Sequence, residues 1–199
     1  TLSLHDALPI FPVYTKQGTW REIQDKLVVP KNQLIELTKG SLTLGNLIVE
    51  PFAVSHDAAD PIGINVFSGN DKATVVTDTG IISDDILHRL DDSTLLVLEA
   101  NYDPHMLRFG PYQPFLKQRV ASDEGHLSNE MAAQALLMMK RPDFMQVILA
   151  HRSENNNNAV LVTQTIGKML VDGGVRIGPE MKLQHGQPNE IVSMQSVKR

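Results

Sequence analysis

The chain has 199 residues, enough for one good-sized domain and too few for two comfortable ones. With 42% hydrophobic and 21% charged residues it is neither disordered nor fibrous, and with no cysteine it holds neither a disulfide framework nor a thiolate metal site. The formal charge of −5 is not that of a protein that wraps nucleic acid, although an enzyme gripping phosphates through metal ions needs no excess of positive charge. No run approaches the roughly 18 apolar residues of a membrane span, so no membrane partner is expected and a reducing, cytoplasmic location is.

Residues 1–10 (TLSLHDALPI) lack an initiator Met and any signal-peptide pattern, and they match one translated frame of a common sequencing adapter. They are expected to be artefactual, which leaves residues 11–192 as one domain and residues 193–199 as a polar tail. Residues 18–28 (GTWREIQDKLV) place Trp20, Ile23, Leu27 and Val28 at helical spacing. The runs LIEL, SLTL and NLIVEPFAV between residues 34 and 54 are β-rich, and Gly40 and Gly45-Asn46 mark hairpin turns between them. INVFS (64–68) and ATVVT (73–77) form a second hairpin about Gly69-Asn70.

Ser83 caps a short helix to Leu90, and LLVLEA (95–100) is an apolar run bounded by polar residues, the signature of a buried strand. Residues 106–120 are broken by Pro and Gly and predict short helices within a long loop. Ser128 caps a helix to Lys140, with Met131, Ala135, Leu136 and Met139 on one face. MQVILAH (145–151) is another buried strand, followed by a helix over 159–171 and two short strands near 181–183 and 191–192. The expected fold class is α/β, a mixed, helix-covered sheet with no internal repeat.

His56, Asp78 and His151 each follow an apolar strand, in AVSHDAAD, VVTDTG and VILAHRS. Polar residues just past strand ends sit at the rim of a sheet, where several strands converge on one site. His and Asp are the ligand types of a hydrolytic Zn, Mn or Fe site, and a carboxylate can bridge two metals. Taken singly, each strand-end His reads equally as a hydrogen-bonded structural residue, TDTG as a turn and GHLSNE as a helix cap. Arg108, Lys117 and Arg119 form a basic cluster able to guide phosphates, and equally read as solvated loop charges. The Met-rich run ALLMMKRPDFM suits a helical core better than an interaction surface.

In this order, strand–SHDAAD, strand–TDTG, strand–LEANYD, SDEGHLSNE–helix and strand–LAHRS, the motifs resemble the metallo-β-lactamase superfamily, and within it the YycJ/WalJ branch of exonuclease-like hydrolases. PVYTKQGTW (12–20) and LRFGPYQPFLKQRVASDEGHLSNE (107–130) carry the same likeness, which extends over residues 11–192. The resemblance implies a dinuclear metal-dependent hydrolase acting on nucleic acid, with 5′-to-3′ exonuclease action on DNA ahead of RNA processing. Ester or lactone hydrolysis and a non-catalytic interaction domain on the same fold are the alternatives.

The resemblance makes His56, Asp78 and His151 metal ligands, with Asp78 bridging. It makes His126 the general acid toward the departing oxygen and Glu99 the acid that orients His126. The family's His-x-His-x-Asp-His run is absent from the 199 residues. The expectation is therefore an incomplete αββα sandwich, lacking its N-terminal strands and first metal motif, in which two divalent ions (Zn, Mn or Fe) are held weakly or not at all. Activity then belongs to an intact parent and not to this chain. Oligomeric state is encoded in no motif.

Overall fold

The computed structural model describes residues 11–26, 29–38, 40–187 and 190–193. Residues 1–10, Leu27, Val28 and tail residues 194–199 lie outside the described residues, as do the readings made of them. In chain order the elements are β1 (Val13–Thr15), α1 (Gln17–Ile23), β2 (Leu34–Glu36), β3 (Leu42–Leu44), β4 (Leu47–Ala53), β5 (Ile62–Ser68), β6 (Asp71–Val76) and α2 (Asp84–Leu90). They continue with β7 (Leu95–Glu99), α3 (Pro104–Phe109), α4 (Pro114–Val120), α5 (Asn129–Met138), β8 (Met145–Ala150), α6 (Ala159–Asp172) and β9 (Met181–His185).

Seven strands form one mixed sheet in the order β3-β4-β5-β6-β7-β8-β9. The first three pairings are antiparallel and the last three parallel. Gly45, at φ 62°, makes the tight β3–β4 turn that an L side chain would strain. Two antiparallel steps restore direction, so β4 runs the same way as β6, β7 and β8, and all four end at one edge of the sheet. That topology brings residues after Ala53, Val76, Leu98 and Ala150 to a common rim.

The helices α2, α5 and α6 share one core with one face of this sheet. Ile86 and Leu90 of α2, Leu136 of α5 and Ile166 and Leu170 of α6 pack with Val76, Leu96, Leu98, Val147 and Leu149. Each such fully buried aliphatic side chain contributes about 1.5–3 kcal/mol relative to exposure. The Ser83 and Ser128 hydroxyls accept from the backbone N–H of Ile86 and Met131, and so cap α2 and α5 as the sequence predicts. On the opposite face, Ile64, Val75, Val97 and Ile148 lie side by side across four strands, and none of them is fully buried.

Two expectations need correction. LIEL is not a hairpin partner of the following strands: β2 pairs in parallel with β1, as a separate two-stranded sheet. Residues 191–192 are not a strand. The expected mixed, helix-covered α/β sheet is what the chain forms. Among the described residues, no helix is long and apolar enough to cross a membrane.

Candidate metal centre

Five candidate residues arrive at the rim from separate segments. His56 follows β4, Asp78 follows β6, Glu99 ends β7, His126 lies between α4 and α5, and His151 follows β8. The Asp78 Oδ1 atom stands among the three imidazoles, 3.7 Å from His56 Nε2, 3.9 Å from His126 Nδ1 and 3.6 Å from His151 Nδ1. The His126 ring centroid is 5.1 Å from that of His56 and 5.1 Å from that of His151. Ligand atoms of Asp78, Glu99, His126 and His151 all lie within 4.8 Å of one another. A cavity of about 490 Å³ opens beside them, lined by His56, Asp78, His126 and His151 with Tyr112, Arg119 and Arg152. A larger cleft of about 1100 Å³ lies elsewhere, lined by Lys16, Phe52, Val54 and Ile86, and receives none of the five.

Glu99 organises the centre. Its side chain is fully buried, and its Oε1 accepts from His126 Nδ1 at 2.8 Å and His151 Nδ1 at 2.7 Å. Its Oε2 accepts from the backbone N–H of Thr79 and Leu127. Burial alone would raise this carboxyl, but the histidine hydrogen bonds and the Thr79 amide outweigh it and hold Glu99 below the ordinary carboxylate range. The hydrogen bond to Glu99 in turn raises His151 above the usual imidazole value, against the opposing effect of burial.

A carboxylate can only accept, so His126 and His151 carry their protons on Nδ1 and keep the Nε2 electron pair free. His56 is set the same way, because its Nδ1 faces the carbonyls of Glu124 and Gly125 at 3.0 and 3.1 Å. Imidazoles tethered through Nδ1 to a carboxylate or carbonyl are arranged as metal-binding histidines are. The donor set therefore fits divalent ions.

Backbone strain marks the same place. Among the described residues, the non-glycine positions with positive φ are Asp78 (55°), Asp92 (57°) and His151 (51°). A left-handed non-glycine residue costs about 1–2 kcal/mol, and strain of this kind persists where surrounding contacts over-determine it. Around Asp78 those contacts come from buried Thr79. Its hydroxyl receives the Ser55 N–H and donates to the Ile81 carbonyl, while Gly80 N–H donates to the Ser55 carbonyl. Around His151 they come from Asn101, whose amide donates to the His151 carbonyl at 2.8 Å while its own carbonyl accepts from Ser153 N–H.

The three basic loop residues are placed differently from one another. Arg119 lines the cavity but is held by Asp57, with Nε 2.5 Å from Oδ2 and Nη2 2.8 Å from Oδ1. The Arg119 guanidinium keeps the Asp57 carboxyl below its usual range. Lys117 donates to the Arg108 carbonyl, Arg108 lies over the Phe109 ring, and neither lines the cavity. Reading the sequence missed Asn101 and Arg152. A buried-looking Asn next to a strand end was the only signal for the first, and Arg152 had none beyond its adjacency to His151.

Residues 2–151 match the beta-lactamase superfamily domain. The chain is 32% identical over 188 residues to "Exodeoxyribonuclease YycJ" of Bacillus anthracis, covering 94% of this chain and 71% of that protein. It is 30% identical over 182 residues to "Exodeoxyribonuclease WalJ" of Streptococcus pneumoniae, covering 89% of this chain and 67% of that protein. The crystal structure of the metallo-beta-lactamase fold protein YhfI from Bacillus subtilis superposes with a TM-score of 0.62 at 13% identity, covering 88% of this chain. The chain spans 62% of the length of YhfI, less than two thirds. The sheet, the rim of strand-end His and Asp residues and these matches agree: the chain belongs to the metallo-β-lactamase superfamily.

Proposed function

We propose that this chain carries the later ligands and the general acid of a dinuclear metal-dependent phosphodiesterase that removes nucleotides from DNA in the 5′-to-3′ direction. The observation that supports this most is the common tautomer of His56, His126 and His151, each tethered through Nδ1 around one Asp78 oxygen. The exodeoxyribonuclease names of the two relatives supply the substrate class.

In this reading His56, Asp78 and His151 would hold two divalent ions. Such ions, when bound, polarise a phosphoryl oxygen and make a water molecule acidic near neutral pH. His126 is left to serve the departing sugar oxygen through Nε2, and Glu99 fixes its ring through Nδ1. Arg119, through Asp57, holds the loop that carries His56.

The His-x-His-x-Asp-His run is absent, so His56, Asp78 and His151 alone are too few for two tightly held ions. Metal is therefore bound weakly and turnover is negligible. The test compares this chain with the same chain carrying such a segment in cis, on 5′-phosphorylated duplex DNA and on structured RNA with Mn²⁺. The reading expects release of mononucleotides from DNA by the completed chain and none by this chain alone. Cleavage of RNA in preference to DNA, or DNA cleavage that survives Asp78→Asn, overturns it.

A further inference from the structure

A site that hydrolyses phosphodiesters has to hold the phosphates flanking the one under attack, and it does so with cations that are not already neutralised. Among those lining the cavity, Arg119 is paired with Asp57 through the Nε–Nη2 edge of its guanidinium, and its charge is offset there. Arg152 is not occupied. It lines the same cavity, makes no hydrogen bond or ion pair among the described residues, and its Nη1 is shielded from solvent without a partner. Glu154 lines the cavity too, and is not paired with it.

The backbone of Arg152 is held on both sides. The preceding residue, His151, gives its carbonyl to the Asn101 amide, and the following residue, Ser153, gives its N–H to the Asn101 carbonyl. One buried Asn thus fixes the position of Arg152 relative to His151 and the rest of the centre. Its neighbour His185, at the end of β9, likewise has a buried Nδ1 with no partner, although its Nε2 meets the Thr163 hydroxyl. Burial, with the positive charge of Arg152, lowers the His185 pKa. Buried donors without partners are uncommon because they are costly.

We propose that Arg152 grips a phosphate of the substrate, its planar fork taking two non-bridging oxygens of the group next to the scissile one. The inference rests on the phosphodiesterase reading, since it assigns a contact within that site. Arginine suits the task because its donors match phosphate geometry in pairs.

The test uses the 199-residue chain without metal at low salt. A 3′-labelled, 5′-phosphorylated dT8 is titrated by fluorescence anisotropy against wild type, Arg152→Gln and Arg152→Lys. In parallel, inorganic phosphate is titrated into the wild type while the Arg152 Nε–Hε resonance is followed. The expected result is binding that weakens about 10-fold in Arg152→Gln, with the salt slope reduced by about one, and an intermediate value for Arg152→Lys. A 5′-hydroxyl dT8 identifies the phosphate: an effect that persists assigns an internal phosphodiester, and one that vanishes assigns the terminal phosphate.

Oligonucleotide binding unchanged by Arg152→Gln, with a silent Arg152 resonance, overturns the assignment and leaves the nuclease reading standing. A resonance that responds to phosphate in a chain that binds no oligonucleotide overturns the nucleic-acid reading and keeps the anion site. Neither response overturns both. The wild-type resonance makes the outcome independent of whether the variants fold.

Discussion

Glu99 ties two histidines and two backbone amides to one buried carboxylate, so its replacement acts on the whole centre. In Glu99→Gln the amide nitrogen cannot accept, and two of the four donors lose their partner. Metal affinity, read by calorimetry, is expected to fall about 10–100-fold, as when a partner that orients a metal-binding His is removed. The strained Asp78 backbone makes a separate prediction about metal-free stability. Asp78→Gly should be more stable than Asp78→Ala by about 1–2 kcal/mol, the reverse of the usual order, because only glycine accepts φ near 55° without cost. An unfolding titration that finds Ala the more stable contradicts the account.

The His151–Glu99 bond has a pH signature. His151 is raised above the ordinary 6.5 in the folded state, so the stability it contributes is fully present below pH 6.5 and is lost as pH rises through the folded value. His185 is lowered, so it subtracts stability as pH falls below 6.5. The stability difference between metal-free wild type and His151→Gln should accordingly shrink between pH 6 and alkaline pH. Denaturant melts across that range check it, and a difference that grows with pH is the contrary result.

At the scale of elements, the rim loops are packed backbone against backbone. A Cβ on Gly80 would stand 2.3 Å from the Ser122 carbonyl oxygen, in the segment that leads to His126. Gly80→Ala therefore has to push the β6 loop away from residues 122–123, at an expected cost of about 1–3 kcal/mol in a melt. Wild-type stability in this variant would show that the two loops are not in register.

The parts of the fold legible in the sequence are those with local signals. Ser83 and Ser128 mark helix starts, and Gly45-Asn46 and Gly69-Asn70 mark hairpins, because caps and tight turns are settled within a few residues. The pairing of Leu34–Glu36 with Val13–Thr15 is a contact between distant segments with no local signature, and the hairpin expectation for LIEL failed there. The site divides in the same way. His56, Asp78, His126 and His151 stand beside recognisable strand ends and a cap. The Arg119–Asp57 pair joins residues 62 apart, and the isolation of Arg152 depends on what fails to reach it.

For the molecule as a whole, the sheet has one face under α2, α5 and α6 and another that presents an apolar row. Ile64, Val75, Val97 and Ile148 are register neighbours on β5, β6, β7 and β8, and Val75 is 41% exposed. A contiguous apolar surface of this kind drives association. The chain is expected to self-associate in sedimentation velocity, and Val75→Lys to shift it toward monomer. A wild type that stays monomeric at high concentration would show that this face is satisfied otherwise.

Strand ends that form a metal centre with only part of its ligands should hold ions weakly. The measurement that bears on this most directly is a calorimetric titration of Zn²⁺ and Mn²⁺ into this chain and into Asp78→Ala. The expected result is weak, saturable binding that a chelator reverses and Asp78→Ala abolishes. Binding unaffected by Asp78→Ala, or two ions held tightly at stoichiometric concentration, would contradict it.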